Sequence, residues 1–225
     1  IFLRKGRWEN CIINGNSQCY KMLRQGGFIV DDNVDEIQMY IEKARKIEND
    51  ETCKHLIINP TINCNFNCWY CYEKHIPSEM TVETINNIKK LIEKSCKQSK
   101  ELMISFFGGE PFLCYKRVML PILTYAKKIA QENNVRFVSN CTTNGSLINI
   151  ERIKELKSLN FNFAQITLDG NREVHNQTRR FANGKGTYDI ILQNIKELAR
   201  NQIHVTIRIN YTQKNASSIV DVPTD

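Results

Sequence analysis

Short apolar runs alternate with helical periods along most of this chain, and this alternation restricts its possible folds more than any other feature. The runs are each short enough for a β-strand and lie at 55–58, 102–106, 135–139, 162–168 and 203–209. Between them, apolar residues recur at helical spacing over 82–91, 118–129, 147–159 and 191–198. Repeated strand–helix units predict an α/β fold with a parallel sheet and right-handed crossovers.

Both a barrel and an open doubly wound sheet satisfy this alternation. Each unusual cluster of residues directly follows a predicted strand, and parallel barrels carry their catalytic groups on loops at the carboxyl ends of the strands. That placement favours a partial barrel, with about five βα units within the 225 residues. The last run, 203–209, would then form an exposed sheet edge.

The sequence over residues 1–53 predicts a small α+β appendage, and the sequence over residues 54–225 predicts the partial barrel, the core of the chain. The predicted elements of the appendage are a hairpin turn at Asn14-Gly15, a helix over 17–25 that ends at Gly26-Gly27, a strand over 28–30 and a helix over 37–47. The sequence begins without an initiator methionine and stops just after the last strand-like run. We therefore expect a fragment of a longer protein.

A C-x3-C-x2-C array follows the first apolar run and carries Cys64, Cys68 and Cys71. Soft thiolate ligands select zinc, copper(I) or iron–sulfur centres. Because a [4Fe–4S] cluster is usually held by four cysteines, three would leave one iron open to a substrate, as a catalytic zinc keeps one open position. Aromatic residues between the cysteines predict an apolar shell that limits water near a cluster.

A closed Cys3His zinc site is the alternative for this array, with His75 as the fourth ligand, because C-x3-H is a permitted zinc spacing. Most zinc modules separate their ligands into two pairs, and this array does not. The local pattern favours an iron–sulfur cluster and leaves zinc open.

The other six of the nine cysteines have no disulfide-framework spacing, and we expect small packed or idle thiols in a reducing, cytoplasmic setting. They are Cys11, Cys19, Cys53, Cys96, Cys114 and Cys141. The net charge of +7 is scattered among acidic residues, without the dense basic block of a nucleic-acid-binding arm. No apolar stretch approaches the length of a membrane span. We therefore expect neither a nucleic-acid nor a membrane partner.

Three further motifs each follow a predicted strand: FGGEP at 107–111, TTNG at 142–145 and TLDG at 167–170. The glycines of the first let the backbone approach a ligand closely, and Glu110 offers a carboxylate suited to an ammonium group. Beyond the third motif, Arg179 carries a planar fork that matches a carboxylate, whereas we expect His175 to fix the loop by hydrogen bonding. Each motif alone is a common turn. Together, on successive strand ends, they predict one binding site.

The cysteine array, with the aromatic Tyr70 before its last cysteine, resembles the signature of the radical S-adenosylmethionine (SAM) enzymes. The resemblance runs from about His55 to Thr212. The GGEP element and TLDG-x4-H-x3-R, in which Thr167 replaces a serine, are similar to segments of peptide-modifying, SPASM-type maturases. The family implies a partial (β/α)6 TIM-like barrel, and we expect the C-terminal auxiliary-cluster domain of such maturases to be absent from this sequence.

The resemblance also implies a role for each candidate site residue. Cys64, Cys68 and Cys71 would hold a [4Fe–4S] cluster, and its open iron would take the amino and carboxylate groups of SAM. The residues implied to contact SAM are Tyr70 at the adenine, the Gly109 backbone and Glu110 at the amine, Thr143 and Asn144 in the pocket lining, and Thr167 and Arg179 at other polar groups. Reductive cleavage of SAM, with electrons from a flavodoxin- or ferredoxin-type donor, would give a 5′-deoxyadenosyl radical that abstracts hydrogen from a peptide or protein substrate.

Two other functions stay open. Within the same family, the protein could be an anaerobic sulfatase-maturing enzyme or an enzyme acting on a small metabolite. From a different class, it could be a catalytically idle module that binds a peptide or zinc. We expect SAM binding to separate the enzymes from the idle module.

Overall fold

The structure is a computed structural model that describes residues 17–213 and 215–219. The chain divides into two compact units, Ile1–Asp50 and Glu51–Asp225. The functional division into an appendage and a catalytic core stays a prediction. Among the described helices, none is both long enough and apolar enough to cross a membrane.

The described part of the first unit is helical. Helix α1 spans Gln18–Gln25, its Ser17 cap accepts a hydrogen bond from the Tyr20 N–H, and a Gly26-Gly27 turn ends it, as predicted. Helix α2 spans Glu36–Glu48. The strand predicted over 28–30 was wrong: Phe28 and Ile29 form a bend, Val30 has no regular structure, and Phe28 is 80% exposed. The hairpin turn predicted at Asn14-Gly15 lies outside the described residues.

The second unit is built on a five-stranded parallel sheet in the order β1-β2-β3-β4-β5. The strands are β1 Cys53–Ile58, β2 Glu101–Phe106, β3 Arg136–Thr143, β4 Phe161–Thr167 and β5 His204–Arg208. A doubly wound sheet reverses its strand order at a switch point, and these five strands run in sequence order. The predicted partial barrel is therefore confirmed, with β1 and β5 at its two edges.

Helices follow the strands as predicted, with two additions. The helices are α3 Val82–Gln98, α4 Leu120–Glu132, α5 Ile150–Ser158, α6 Arg172–Thr178 and α7 Tyr188–Arg200. A 3-10 turn over Pro111–Cys114 and a π-helical turn over Tyr115–Met119 lead into α4. The sequence did not predict α6 or the π turn. The predicted helix over 147–159 begins at 147, whereas helix α5 begins at Ile150. It begins there because the Asn149 side chain caps it by accepting a hydrogen bond from the Arg152 N–H.

The two faces of the sheet differ in character. On β2, Leu102, Ile104 and Phe106 are fully buried and join the hydrophobic core with the helices, whereas the alternate residues Met103 and Ser105 are only partly buried. The helices therefore cover one face. Since all five strands are parallel, their carboxyl ends lie at one edge of the sheet, where the loops carrying the predicted motifs come together.

Among the described cysteines outside the array, all but one follow the prediction. Cys96, Cys114 and Cys141 are buried free thiols, and the partly buried Cys53 thiol donates to Glu101 Oε1 at 4.0 Å. Cys19 is disulfide-bonded, so the free thiol predicted there was wrong. Cys11 lies outside the described residues.

Candidate active site

A cavity of about 310 Å³ lies at the carboxyl ends of the strands and is lined by residues from all the predicted motifs. Its volume falls in the range of small-molecule sites, about 300–1,000 Å³. Its lining includes nearly all the predicted site residues: Cys64, Cys68, Tyr70, Cys71, Gly109, Thr143, Asn144, Thr167 and Arg179. Glu110 is the one predicted site residue that does not line it.

Local hydrogen bonds shape the loop that carries the three cysteines. The Cys64 N–H donates to the Asn63 side chain at 2.9 Å, and the Cys71 N–H donates to the Cys68 carbonyl at 3.1 Å. Cys64 and Cys68 are partly buried, whereas Cys71 is exposed. The loop therefore presents two of its thiols deep in the cavity and the third nearer to solvent.

Burial disfavours the thiolate form of the two deeper cysteines. It raises the pKa of the Cys64 thiol to about 11, against the opposing effect of a hydrogen bond from the Phe66 N–H. Burial also raises the pKa of Cys68, and the nearby Arg179 cation partly offsets this. These two thiols are therefore protonated at neutral pH, and a metal centre would have to displace their protons on binding.

The thiol positions bear on the choice between one zinc ion and a cluster. His75 Nε2 lies 3.4 Å from Cys71 Sγ. Within the described ranges, however, no three side chains of His, Cys, Asp or Glu come close enough to hold one metal ion. The arrangement therefore brings together only two of the four ligands of the alternative zinc site. Cubane ligands bind separate irons, so they need not converge on a single point.

The GGEP turn packs directly against the cysteine loop. The Gly109 N–H donates to the Thr61 carbonyl at 3.1 Å, and the Glu110 N–H donates to the Asn63 carbonyl at 2.8 Å. A Cβ atom on Gly109 would lie 2.2 Å from the Asn63 carbonyl oxygen. Glycine is therefore required at this position for close approach to the cysteine loop. The sequence had instead predicted close approach to a ligand.

Glu110 is fully buried, and its carboxylate binds the chain itself. It accepts hydrogen bonds from Phe112 N at 3.0 Å, Thr143 Oγ1 at 2.8 Å and Asn144 N at 2.7 Å. Burial raises its pKa, and these three donors oppose that shift. This carboxylate therefore joins the loop after β2 to the loop after β3, and it does not face the cavity.

Arg179 is a buried cation with an unused donor. It is 8% exposed, so it is not a solvated surface cation like the adjacent, exposed Arg180. Its Nη1 donates to the Tyr70 hydroxyl at 2.6 Å, and its guanidinium lies over the Phe66 ring. Its Nε atom is buried, and no described residue accepts its hydrogen. Because a buried donor normally has a partner, this atom fits an anionic group bound in the cavity.

A hydrogen-bond network centred on the Tyr70 hydroxyl joins three segments of the chain. The hydroxyl donates to Asp169 Oδ2 and accepts from Asn210 Nδ2 at 2.9 Å, besides the bond from Arg179. The Asn210 N–H donates to Asp169 Oδ1 at 2.8 Å. Burial raises the pKa of Tyr70, so the phenol stays protonated and able to donate. Sequence analysis missed Asn210, although its position after the fifth strand was a usable signal.

His175 fixes the loop after β4, as predicted. Its Nδ1 accepts from the Asp169 N–H at 3.2 Å, so its Nε2 carries the hydrogen and donates to Thr187 Oγ1 at 3.0 Å. Burial lowers the pKa of His175 to about 3, which keeps the ring neutral at physiological pH. The Thr187 hydroxyl in turn donates to the Arg179 carbonyl. His175 therefore holds the Arg179 segment in place through Thr187.

Comparison with known proteins adds three findings. The family model described as "Radical SAM superfamily" matches residues 58–217. A cysteine-type anaerobic sulfatase-maturating enzyme of Clostridium novyi is 29% identical over 173 residues, covering 74% of this chain and 46% of that protein. The radical SAM cyclopropyl synthase TigE of Paramaledivibacter caminithermalis is 34% identical over 154 residues, covering 60% of this chain and 32% of that protein.

The fold agrees with a solved structure of the same kind. Native anSMEcpe with bound AdoMet and Kp18Cys peptide superposes with a TM-score of 0.66 at 20% identity, covering 75% of this chain and 47% of that one. The chain spans less than half the length of each of these three proteins.

Proposed function

The chain belongs to the radical SAM superfamily, a family of enzymes that use a [4Fe–4S] cluster and SAM, and we propose that it is the core of one that modifies a peptide or protein. The single observation that carries this proposal is the shared cavity, which is lined by the three cysteines and by the buried Arg179, whose Nε has no partner among the described residues. The division into a lead-in over 1–53 and a core over 54–225 is part of the proposal.

In this proposal Cys64, Cys68 and Cys71 hold the cluster, which suits the donor set because three soft thiols leave one iron for SAM. When bound, the cluster and SAM supply a 5′-deoxyadenosyl radical that takes a hydrogen atom from the substrate. The chain's own residues bind and orient the reactants, and they keep water from the reacting atoms.

Arg179 and Thr167 supply the polar groups for SAM. The free Nε–H of Arg179 is suited to the carboxylate of SAM because a guanidinium binds carboxylates through its planar fork. Thr167 lies at the end of β4 and lines the cavity. Arg208, its register partner on β5, brings a second cation to the same wall.

Four further residues that line the cavity complete the proposed SAM site: Tyr70, Gly109, Thr143 and Asn144. Because the Tyr70 hydroxyl is used in its own network, its backbone and ring remain for the adenine. Glu110 acts as a positioning residue in this scheme, since its carboxylate holds Thr143 and Asn144 and does not line the cavity.

Two relatives support a peptide or protein as the substrate, and one supports a small molecule. The sulfatase-maturating relative is named for its action on another protein, and anSMEcpe is solved with a bound peptide. Action on a sulfatase is therefore the second candidate within the proposal. The Fe-coproporphyrin III synthase of Methanosarcina barkeri, 29% identical over 164 residues, favours a metabolite instead. An electron donor of flavodoxin or ferredoxin type would serve any of these reactions.

Anaerobic reconstitution with iron and sulfide tests the metal centre. The chain should turn brown and bind about four irons. Cys68→Ala should lose the cluster, whereas Cys53→Ala, which removes a partly buried thiol outside the cavity, should keep it. Stoichiometric zinc without sulfide in the parent would overturn the proposal.

A second measurement tests the substrate class. Reduced, cluster-loaded protein should release 5′-deoxyadenosine from SAM. With a deuterated peptide substrate, deuterium should pass into that product. Transfer from the Kp18Cys peptide would identify sulfatase maturation, and transfer only from a porphyrin would overturn the peptide assignment.

A further inference from the structure

The Asn144 side chain is buried beside a proposed cluster ligand. It lies just after β3 and is 5% exposed. Its Nδ2 atom is 3.8 Å from Cys64 Sγ and 2.8 Å from Asn65 Oδ1. Both contacts are directed at the loop that carries the cysteine array.

The neighbours of Asn144 fix which end of its amide faces the sulfur. Its Oδ1 accepts hydrogen bonds from Ser146 N at 2.9 Å and from Ser146 Oγ at 2.7 Å. A flipped amide would place an NH2 group against the Ser146 N–H, so the orientation is determined by the network. The two Nδ2 hydrogens are therefore left for Asn65 Oδ1 and Cys64 Sγ.

The backbone that leads into Asn144 is also held. Its N–H donates to the fully buried Glu110 carboxylate, which also accepts from the preceding Thr143 hydroxyl. The amide donor is therefore presented from a rigid support, and it needs no rearrangement to meet a thiolate at Cys64.

Hydrogen bonds are distributed unequally over the three sulfurs. Cys64 Sγ receives the Phe66 N–H at 3.4 Å as well as the Asn144 amide. Cys71 Sγ lies against the partly buried His75. For Cys68 Sγ, residues 17–213 and 215–219 supply no hydrogen-bond donor. A thiolate at Cys64 would thus have two fixed N–H donors in a largely buried position.

We propose that Asn144 raises the reduction potential of the cluster by donating an N–H···S hydrogen bond to the Cys64 ligand. Reduction adds negative charge to the cluster and its sulfurs, so a fixed donor stabilises the reduced form more than the oxidised form. Asn144 would thus tune the cluster through Cys64, and it also lines the cavity. The inference rests on the proposed function only in taking Cys64 as a cluster ligand.

The test is a potentiometric titration of the reconstituted full chain, followed by electron paramagnetic resonance. Asn144→Ala removes the amide donor, and its midpoint potential should fall by about 59 mV or more, a tenfold loss in the constant for one-electron reduction. Ser146→Ala is the matched control, because the Ser146 N–H still orients Asn144 and the donor to the sulfur stays in place. Its potential should equal that of the parent.

A measurement on the unmutated protein keeps the proposal testable if Asn144→Ala folds poorly. With asparagine isotopically labelled at its side-chain amide nitrogen, the reduced cluster should show a hyperfine coupling to that nitrogen. Absence of the coupling in the parent would overturn the proposal, as would equal potentials for the parent and Asn144→Ala.

Two outcomes separate this inference from the proposed function. A parent that binds no iron–sulfur cluster would overturn both. A parent with a normal cluster, together with an Asn144→Ala variant that binds iron equally and shows the same potential, would overturn the tuning role alone. Loss of the cluster in Asn144→Ala without the amide coupling in the parent would assign Asn144 a purely structural role.

Discussion

The Tyr70 hydroxyl donates a hydrogen bond to Asp169, and this bond ties the cysteine loop to the loop after β4, 99 residues later in the chain. Asp169 is fully buried and is also bound by the Asn210 N–H, after β5. One phenol therefore connects the loops of the first, fourth and fifth strands. The aromatic residue of the array has a structural task that the motif alone does not indicate.

Tyr70→Phe tests this connection because it keeps the ring and removes only the hydroxyl. The substitution removes hydrogen bonds to Asp169, Arg179 and Asn210. The buried side chains of Asp169 and Arg179 each lose one hydrogen-bond partner. We expect the free energy of unfolding to fall by about 1–3 kcal/mol, measured by urea denaturation. Tyr72→Phe, which changes a 78% exposed side chain, should leave it unchanged. Equal stability of Tyr70→Phe and the parent would show that the network is not formed in solution.

Gly109→Ala tests the close packing of the GGEP turn against the cysteine loop. The new methyl group would lie 2.2 Å from the Asn63 carbonyl oxygen, so one of the two loops must move. We expect the variant to bind less iron than the parent after reconstitution, because the displaced loop carries Cys64. Gly184→Ala is the control: its Cβ meets nothing within 4 Å, so its backbone strain at φ 83° should lower stability without lowering iron content. Normal iron binding by Gly109→Ala would contradict the packing argument.

All five strands and the order of the sheet could be predicted because short apolar runs between helical stripes leave few other arrangements. Helix α6 could not, since its sequence REVHNQT has no apolar stripe. It forms because Asn171 caps it at Val174 and because His175 is buried under the loop. Its stability therefore comes from tertiary contacts, which local periodicity does not record.

The residues of the candidate site could be located from sequence, but their roles could not all be assigned. In a sequence, a glutamate that follows a strand looks the same whether its carboxylate binds a ligand or accepts hydrogen bonds from the protein itself. Glu110 is satisfied by Thr143 and Asn144, more than 30 residues later, and no motif predicts that pairing. Asn210 also follows a strand, but that strand is β5, which the sequence predicts only as an exposed sheet edge.

His175→Gln tests the neutral, buried imidazole through the pH dependence of stability. The folded-state pKa of His175, about 3, lies below the unfolded value near 6.5, so only the unfolded state takes up a proton between these limits. Stability should therefore be unaffected by this group above about pH 6.5 and should fall as the pH drops below it, by up to about 1.4 kcal/mol per pH unit. Urea denaturation at pH 7 and pH 5.5 should show a smaller difference for His175→Gln than for the parent. His204→Gln, at an exposed position on β5, should retain the difference seen in the parent; the same difference in His175→Gln would contradict the prediction.

Arg179→Lys tests whether the unpaired guanidinium nitrogen binds SAM. Lysine keeps the positive charge but has no planar fork, so it cannot offer the Nε–H to a carboxylate while also reaching Tyr70. We expect the dissociation constant for SAM, measured by calorimetry on cluster-loaded protein, to rise at least about tenfold, or ~1.4 kcal/mol. Arg180→Lys, at the exposed neighbouring position, should bind SAM as the parent does.

Comparison of Arg179→Lys with Tyr70→Phe separates a direct role of Arg179 from an indirect one. Both variants break the hydrogen bond between the guanidinium and the phenol, but only Arg179→Lys removes the Nε donor. If Arg179 acts only by holding Tyr70 and the cysteine loop, Tyr70→Phe should weaken SAM binding at least as much as Arg179→Lys at matched iron content, because it also loses the bonds to Asp169 and Asn210. If its Nε–H contacts the carboxylate of SAM, Arg179→Lys should be the weaker binder of the two. Because a charge-assisted hydrogen bond is stronger than a neutral one, that difference should be resolvable in the two binding isotherms.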